Sequence, residues 1–310
     1  MIVPWPEDRR DLADLTDWLA SVMPGSPVVH GPVEVLRFKR WGATAVFDVD
    51  GTPVVVKHAK PVLYPHAPAV HQAVQDACPG ATAPLLEHAT GNGWQRTVFA
   101  LVPGPTAAET GPDSLPAVAA ALGEVQAAVA RTDLTDLPGY RVESVPDLLV
   151  EDLRSANDQD VELLSTYTNA LPALRDHAAA LAAVPASLDH PDLNESNAIV
   201  DHGKVVLLDW EEAMVGCPLL SLDRLLAETG DTEAIIGAYC DSFGVPKDLV
   251  DSAGVIAPLK LAIEARAYAR GLGMPHPHTR LTADKVHQCL DRLAALSAAP
   301  PRGAGRSART

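Results

Sequence analysis

Apolar residues recur at helical spacing through Leu12, Leu15, Trp18, Leu19 and Val22, so residues 7–23 are predicted to form an amphipathic helix that begins among acidic residues. Pro24-Gly25-Ser26-Pro27 ends it, and from Val33 the period falls to two. Residues 33–40, 43–49 and 53–59 read as strands, the last two joined by Asp50-Gly51, a strong hairpin dipeptide. A helix over 67–77 follows, then strands over 85–89 and 95–102 around Gly91-Asn92-Gly93, which completes a five-stranded layer. Pro103-Gly104-Pro105 breaks the pattern. Beyond Ser114 the chain becomes helical and rich in alanine, over 115–130, 145–155 and 161–183. Two short β-rich runs, 198–200 and 204–208, flank the turn Asp201-His202-Gly203, and helices resume over 219–228, 232–243, 247–271 and 282–298.

At 310 residues, with 47% apolar residues and a mean hydropathy of +0.05, the chain fits a globular protein of one large domain or two lobes. A net charge of −16 argues against nucleic acid or an anionic membrane surface as partner. It is compatible with a cationic partner, and equally with acidity that serves solubility alone. Cys78, Cys217, Cys240 and Cys289 are scattered, which supports neither a disulfide framework nor a zinc site and fits a reduced, cytoplasmic setting. Residues 1–10 lack the apolar core of a signal peptide, and no segment approaches the length of a membrane span. The tail 299–310, with Gly, Ser and three arginines, is expected to be disordered.

Chemistry concentrates between Ser187 and Glu212. His190, Asp192 and Asn197 stand in the spacing H-x-D-x-x-x-x-N, and Asp209 ends the apolar run twelve positions after Asn197. ATP-dependent phosphoryl transfer needs a carboxylate beside the acceptor hydroxyl and oxygen ligands that hold Mg²⁺ against the phosphates. Asp192 and Asn197 at the two ends of one tight loop, with Asp209 returned to it by a hairpin, supply that set. No G-x-x-x-x-G-K-[ST] occurs, which removes the P-loop nucleotide folds. Lys57, in Val54-Val55-Val56-Lys57-His58, would read by itself as a solvated strand lysine.

The loop His190-Pro191-Asp192-Leu193-Asn194-Glu195-Ser196-Asn197 and the later Leu208-Asp209-Trp210 resemble the aminoglycoside phosphotransferase family, whose loop usually reads H-G-D-L-H-x-x-N before a hairpin and I-D-W or I-D-F. Val215-Gly216-Cys217-Pro218 and Leu222 resemble its V-G-x-P-x-x-x-L continuation, whereas Pro191 stands in place of the glycine and Asn194 in place of the histidine. The resemblance implies a two-lobed α+β protein-kinase-like fold, with a mainly β N-terminal nucleotide-binding lobe over 1–102, a hinge over 103–113 and a helical catalytic and acceptor-binding lobe over 114–298. It further implies Asp192 as catalytic base, Asn197 and Asp209 as Mg²⁺ ligands, and Lys57 on the α- and β-phosphates of ATP or GTP. In such a fold backbone groups of 99–102, including Phe99, Leu101 and Val102, meet the adenine edge. His190 reads as a brace for the loop.

The family also carries a glutamate on the next helix that pairs with the strand lysine. From Gly51 to Gln75 this chain has no acidic residue, and the helix over 67–77 offers only His71, Gln72, Gln75 and Asp76. Asp76 or another acid substitutes, or the lysine is held in another way. After Asp209 the chain passes through Gly216-Cys217-Pro218 straight into helix, without an activation segment to receive a polypeptide, so the acceptor is expected to be a small molecule. Asn194, Glu211 and Glu264 are candidate acceptor contacts. Glu211 and Glu212 would face a cationic substrate or simply be solvated, and Glu264, Arg266 and Arg270 of the long helix carry the same two readings. The favoured function is an antibiotic O-phosphotransferase, with a choline, homoserine or sugar kinase second and a nucleotide- or drug-binding pseudokinase third. A metal-dependent hydrolase built on His190, Asp192, His202 and Asp209 would leave Lys57 and Asn197 unexplained.

Overall fold

Helix α1 (Ala13–Val22) buries Leu15 and Leu19 against Phe47, Val49, Val54, Val56 and Val98 of an antiparallel sheet. The computed structural model describes residues 13–39, 42–61, 64–91, 93–155, 161–227, 232–273 and 278–298. The expectations for residues 7–12 and the tail 299–310 lie outside the described residues. The sheet comprises β1 (Val29–Lys39), β2 (Gly42–Val49) and β3 (Thr52–Ala59), then, after helix α2 (Ala67–Ala77), β4 (Leu85–Gly91) and β5 (Trp94–Ala100), in the order β1-β2-β3-β5-β4. β1 starts four residues before the predicted strand. The breaker pair Gly31-Pro32 is taken up at an irregularity between His30 and Glu34 on an edge strand, where a missing donor costs no ladder bond. Alternation on β3 turns Val54 and Val56 toward α1, which leaves Lys57 on the opposite face with Val55 and Phe99.

β5 ends at Ala100, and the next residues are held against a second, smaller hairpin, β7 (Ala198–Asp201) and β8 (Lys204–Leu207). The Val200 N–H donates to the Pro105 carbonyl at 2.9 Å, and Thr106 bridges Ile199. Gly104, at φ +123°, lies so close that a Cβ would sit 3.0 Å from Ile199 Cγ2 and 3.2 Å from Asp201 Cβ, so the backbone conformation favours glycine and the packing leaves a side chain little room. The expected hinge 103–113 contains a capped helical turn, α3 (Ala107–Thr110). Thr106 Oγ1 accepts from the Glu109 N–H, and the Glu109 carboxylate accepts from the Thr106 N–H.

Two compact units divide the chain. The first joins Met1–Gly139 to Ala186–Val245. Besides the sheet it holds α4 (Leu115–Val129), a pair of short strands β6 (Ser187–Asp189) and β9 (Met214–Gly216), α7 (Leu222–Ala227) and α8 (Thr232–Phe243). α4 is apolar nearly all round and packs on α8 with Gly123 at the contact, where a Cβ would stand 2.9 Å from the Tyr239 carbonyl oxygen. The second unit, Tyr140–Pro185 with Pro246–Thr310, is helical: α5 (Val145–Ser155), α6 (Val161–Leu181), α9 (Leu249–Leu272) and α10 (His278–Ala298). α9 packs on α6 and α10, and its Arg266 and Arg270 both grip Asp152 of α5. No described helix is long and apolar enough to cross a membrane, and all four cysteines are free.

Candidate active site

β6 delivers the chain to the loop that carries Asp192, and a buried polar network holds its end. Gln126 of α4 donates to the Leu188 carbonyl at 2.7 Å and to Ser221 Oγ at 2.9 Å, and accepts from the Tyr239 hydroxyl at 2.6 Å. Ser221 in turn accepts the His190 N–H at 2.8 Å and donates to Asp189 at 3.1 Å. Within the loop, the Asp192 carbonyl accepts from the side-chain amides of both Asn194 (2.9 Å) and Asn197 (2.8 Å). Asn194 Oδ1 caps the following turn by accepting from the Ser196 N–H. The Asp192 carboxylate is left partly exposed, with Asn197 Nδ2 at 3.5 Å from Oδ2 and an Arg224 guanidinium nitrogen at 3.3 Å from Oδ1.

The β7–β8 hairpin turns through His202 (φ 46°) and Gly203 (φ 80°), the double left-handed geometry of a two-residue hairpin. It returns the chain to Leu208, whose N–H donates to the Asn197 carbonyl at 2.8 Å and whose carbonyl accepts from His190 Nε2 at 2.8 Å. That double grip supports Asp209 at φ 65°, a left-handed conformation that costs a non-glycine residue about 1 kcal/mol or more. His190 is therefore the brace the sequence suggested. Its ring is fully buried beside Trp210 and donates to a carbonyl, and burial holds its pKa below the usual histidine value.

Lys57 reaches this centre from β3. Its ammonium lies 2.8 Å from Asp209 Oδ1, is ion-paired with Glu211, and stands 5.7 Å from the centre of the Phe99 ring. Glu211 is buried in the short helical turn Trp210–Glu212, with His71 Nε2 of α2 at 3.8 Å from its second oxygen. Burial opposes the charge on all three groups. For Lys57 the two carboxylates outweigh it and raise the pKa, and for Glu211 the lysine prevails and the carboxyl is held well below the usual range. Asp209 goes the other way: burial and the neighbouring Glu211 raise its pKa against the pull of Lys57.

The structure thus brings Lys57, Asp209 and Glu211 together, and separately Asp192, Asn194 and Asn197. Glu211 is neither solvated nor open to an acceptor, because it is buried against Lys57. Asp76 does not serve the lysine; it accepts from Gln72 on its own helix at 2.7 Å. Asn194 is committed to the loop, and Glu264 to Lys260 one turn earlier at 2.6 Å, both side chains largely buried in the helical unit. Phe99 differs from the hinge expectation: its backbone lies in the ladder between β3 and β4, so strand pairing occupies it, whereas Leu101 and Val102 follow the strand outside the ladder. The hydrolase constellation is not assembled. His190 is bound to Leu208, His202 is almost wholly exposed beside Asp201, and no group of three His, Cys, Asp or Glu suited to a metal occurs among the described residues.

Sequence reasoning missed Arg224, beside Asp192, and Arg37 of β1, 4.0 Å from Asp209. No local motif marks either, since each arrives from a distant element. For Mg²⁺ the donor set fits. The Asn197 amide nitrogen is committed to the Asp192 carbonyl, which leaves its oxygen to meet a cation, and Asp209 adds a carboxylate at the end of the hairpin, the hard oxygen donors this ion takes.

The model of the APH family, the phosphotransferase enzyme family, matches residues 34–252. No curated protein matches the chain in sequence. Solved structures are similar in fold. A thermostable mutant of aminoglycoside phosphotransferase APH(4)-Ia, in ternary complex with AMP-PNP and hygromycin B, superposes with a TM-score of 0.65 at 17% identity, over 92% of this chain and 100% of that one. A choline/ethanolamine kinase family protein from Mesorhizobium loti gives 0.65 at 16% identity, over 93% and 96%. Choline kinase from Cryptosporidium parvum Iowa II gives 0.63 at 12%, over 93% and 96%. These likenesses establish the protein-kinase-like fold, with its N-terminal five-stranded antiparallel sheet and helical C-terminal lobe. Lys57, the Asp192–Asn197 loop and Asp209 all fall inside the matched span, and the chain belongs to the APH phosphotransferase family, a family of small-molecule kinases.

Proposed function

We propose that the protein transfers the γ-phosphoryl group of ATP or GTP to a hydroxyl of a small antibiotic, and so confers resistance by phosphorylation. The observation that carries the transfer chemistry is the meeting of Lys57 with Asp209 at 2.8 Å, beside a hairpin whose Leu208 N–H is bound to Asn197 of the Asp192 loop. Residues 1–102 hold the nucleotide, with Lys57 on its α- and β-phosphates and the backbone of Leu101 and Val102 at the adenine edge, while 114–298 supply the catalytic loop and the acceptor site. Mg²⁺, held by Asn197 and Asp209, would offset charge on the β- and γ-phosphates. Asp192 orients the acceptor hydroxyl and takes up its proton as the phosphoryl group moves, and Arg224 at 3.3 Å holds that carboxylate in place. The net charge of −16 is compatible with an amine-bearing acceptor.

A choline-type kinase is the second reading, favoured by neighbours of that description whose TM-scores equal those of the antibiotic enzymes. Release of nucleoside diphosphate from MgATP and MgGTP, measured across aminoglycosides, other antibiotics, choline, homoserine and sugars, separates the two. Asp192→Ala is expected to lower acceptor-dependent release at least about 10³-fold while nucleotide still binds. An active mutant removes Asp192 as base, and release with choline alone selects the second reading.

A further inference from the structure

Lys57 has two carboxylate partners, and both come from one segment, Asp209 and the turn that follows it. They are not equivalent. The Asp209 side chain is 25% exposed, lies at the hairpin end and is approached by Arg37 as well, whereas the Glu211 side chain is 5% exposed and faces only Lys57 and His71 among its described ion pairs. A divalent cation on Asp209 and the Lys57 ammonium would compete for the same oxygens, because like charges repel strongly in a site with little water. Once Asp209 turns to the metal, Glu211 is the carboxylate left to hold the lysine. Helix α2 cannot do so: His71 is its residue at the site, and its one acid, Asp76, is tied to Gln72.

We infer that Glu211 is the positioning residue for Lys57, which keeps the lysine aimed at the phosphates while Asp209 is given over to Mg²⁺. This rests on the phosphotransfer reading above. It divides two acids between two cations, and it carries the lysine clamp and the metal clamp on one short turn instead of on α2. His71 touches the clamp from the helix, and both His71 and Lys57 lie against the Phe99 ring, so a carboxylate at position 71 would come within reach of the lysine.

The test is the Mg²⁺ dependence of AMP-PNP binding, followed by calorimetry for the wild type, Lys57→Ala, Glu211→Gln, Glu211→Asp and the double variant His71→Glu/Glu211→Gln, with circular dichroism to confirm folding. With Glu211 neutralised, Lys57 falls wholly on Asp209 and competes with the metal. The half-saturating Mg²⁺ concentration should rise about tenfold, the scale on which groups that orient metal ligands act. The double variant should restore it to within about threefold, a rescue that a purely structural role for Glu211 would not produce. A folded Glu211→Gln protein whose Mg²⁺ titration overlays the wild type, while Lys57→Ala binds more weakly, overturns the inference and leaves the phosphotransfer reading standing. Should the glutamine variant fail to fold, Glu211→Asp carries the test with an expected shift of about threefold, and an unshifted titration is again decisive. Wild-type protein that binds neither Mg–AMP-PNP nor Mg–GMP-PNP removes both.

Discussion

His58 shows how one buried side chain ties stability to pH. It stacks on Trp94 with ring centres 4.2 Å apart, accepts from Arg96 Nε at 3.3 Å and lies near Lys60; burial and these two cations lower its pKa to about 4. Between the unfolded value of 6.5 and the folded value near 4, the unfolded chain takes up a proton that the native ring refuses. Stability attributable to His58 is therefore intact above pH 6.5, declines as pH falls, and levels off near pH 4 after a loss of about 3 kcal/mol. Urea unfolding of wild type and His58→Gln at pH 7 and pH 4.5 should show the wild type losing about 2 to 3 kcal/mol more than the variant. Equal losses would mean that the ring is protonated in the fold. The same scale shows what a motif can reveal. Asp192, Asn197 and Asp209 are legible because their spacing already encodes a loop and a hairpin, whereas Arg224 and Arg37 enter from other elements and leave no local trace.

At the scale of elements, the polar network under β6 joins two helices to the Asp192 loop. Gln126 of α4 is completely buried and bonds Leu188, Ser221 and Tyr239 of α8, so replacing it strands several partners at once. Gln126→Leu, which nearly keeps the volume, should cost about 3 kcal/mol in thermal or urea unfolding and lower kcat, because Ser221 also holds the His190 backbone. A cost below about 1 kcal/mol would show that the loop keeps its shape without α4. Most elements were readable from pattern: α2 and α5 coincide with the predicted ranges, and the two hairpin strands start where predicted and differ by one residue at their C-terminal ends. The exceptions have physical causes. β1 extends through Gly31-Pro32 because an edge strand tolerates the lost donor, and β6 and β9, three residues each, are too short to show a period and exist through pairing with one another.

Across the whole molecule, 40 acidic residues stand against 24 basic ones, and at that excess a cationic acceptor should be drawn in at long range. If the acceptor carries amines, kcat/KM should fall about tenfold between low salt and roughly 0.3 M salt, as the screening length shortens, while a neutral acceptor shows little change. A flat profile with a cationic acceptor would confine the acidity to solubility. The sequence by itself determined the loop and hairpin that carry Asp192, Asn197 and Asp209 and the strand that carries Lys57, because periodicity and turn chemistry are local properties, while the fold class came from the resemblance of that loop to a known family. It also raised the question of the missing helix acid. Only the tertiary structure decided the answer, Glu211, along with the burial of Glu211 and the approach of His71 and Arg224. Those pairings join residues far apart in the chain, and which carboxylate meets a buried lysine depends on desolvation and packing that no local pattern records.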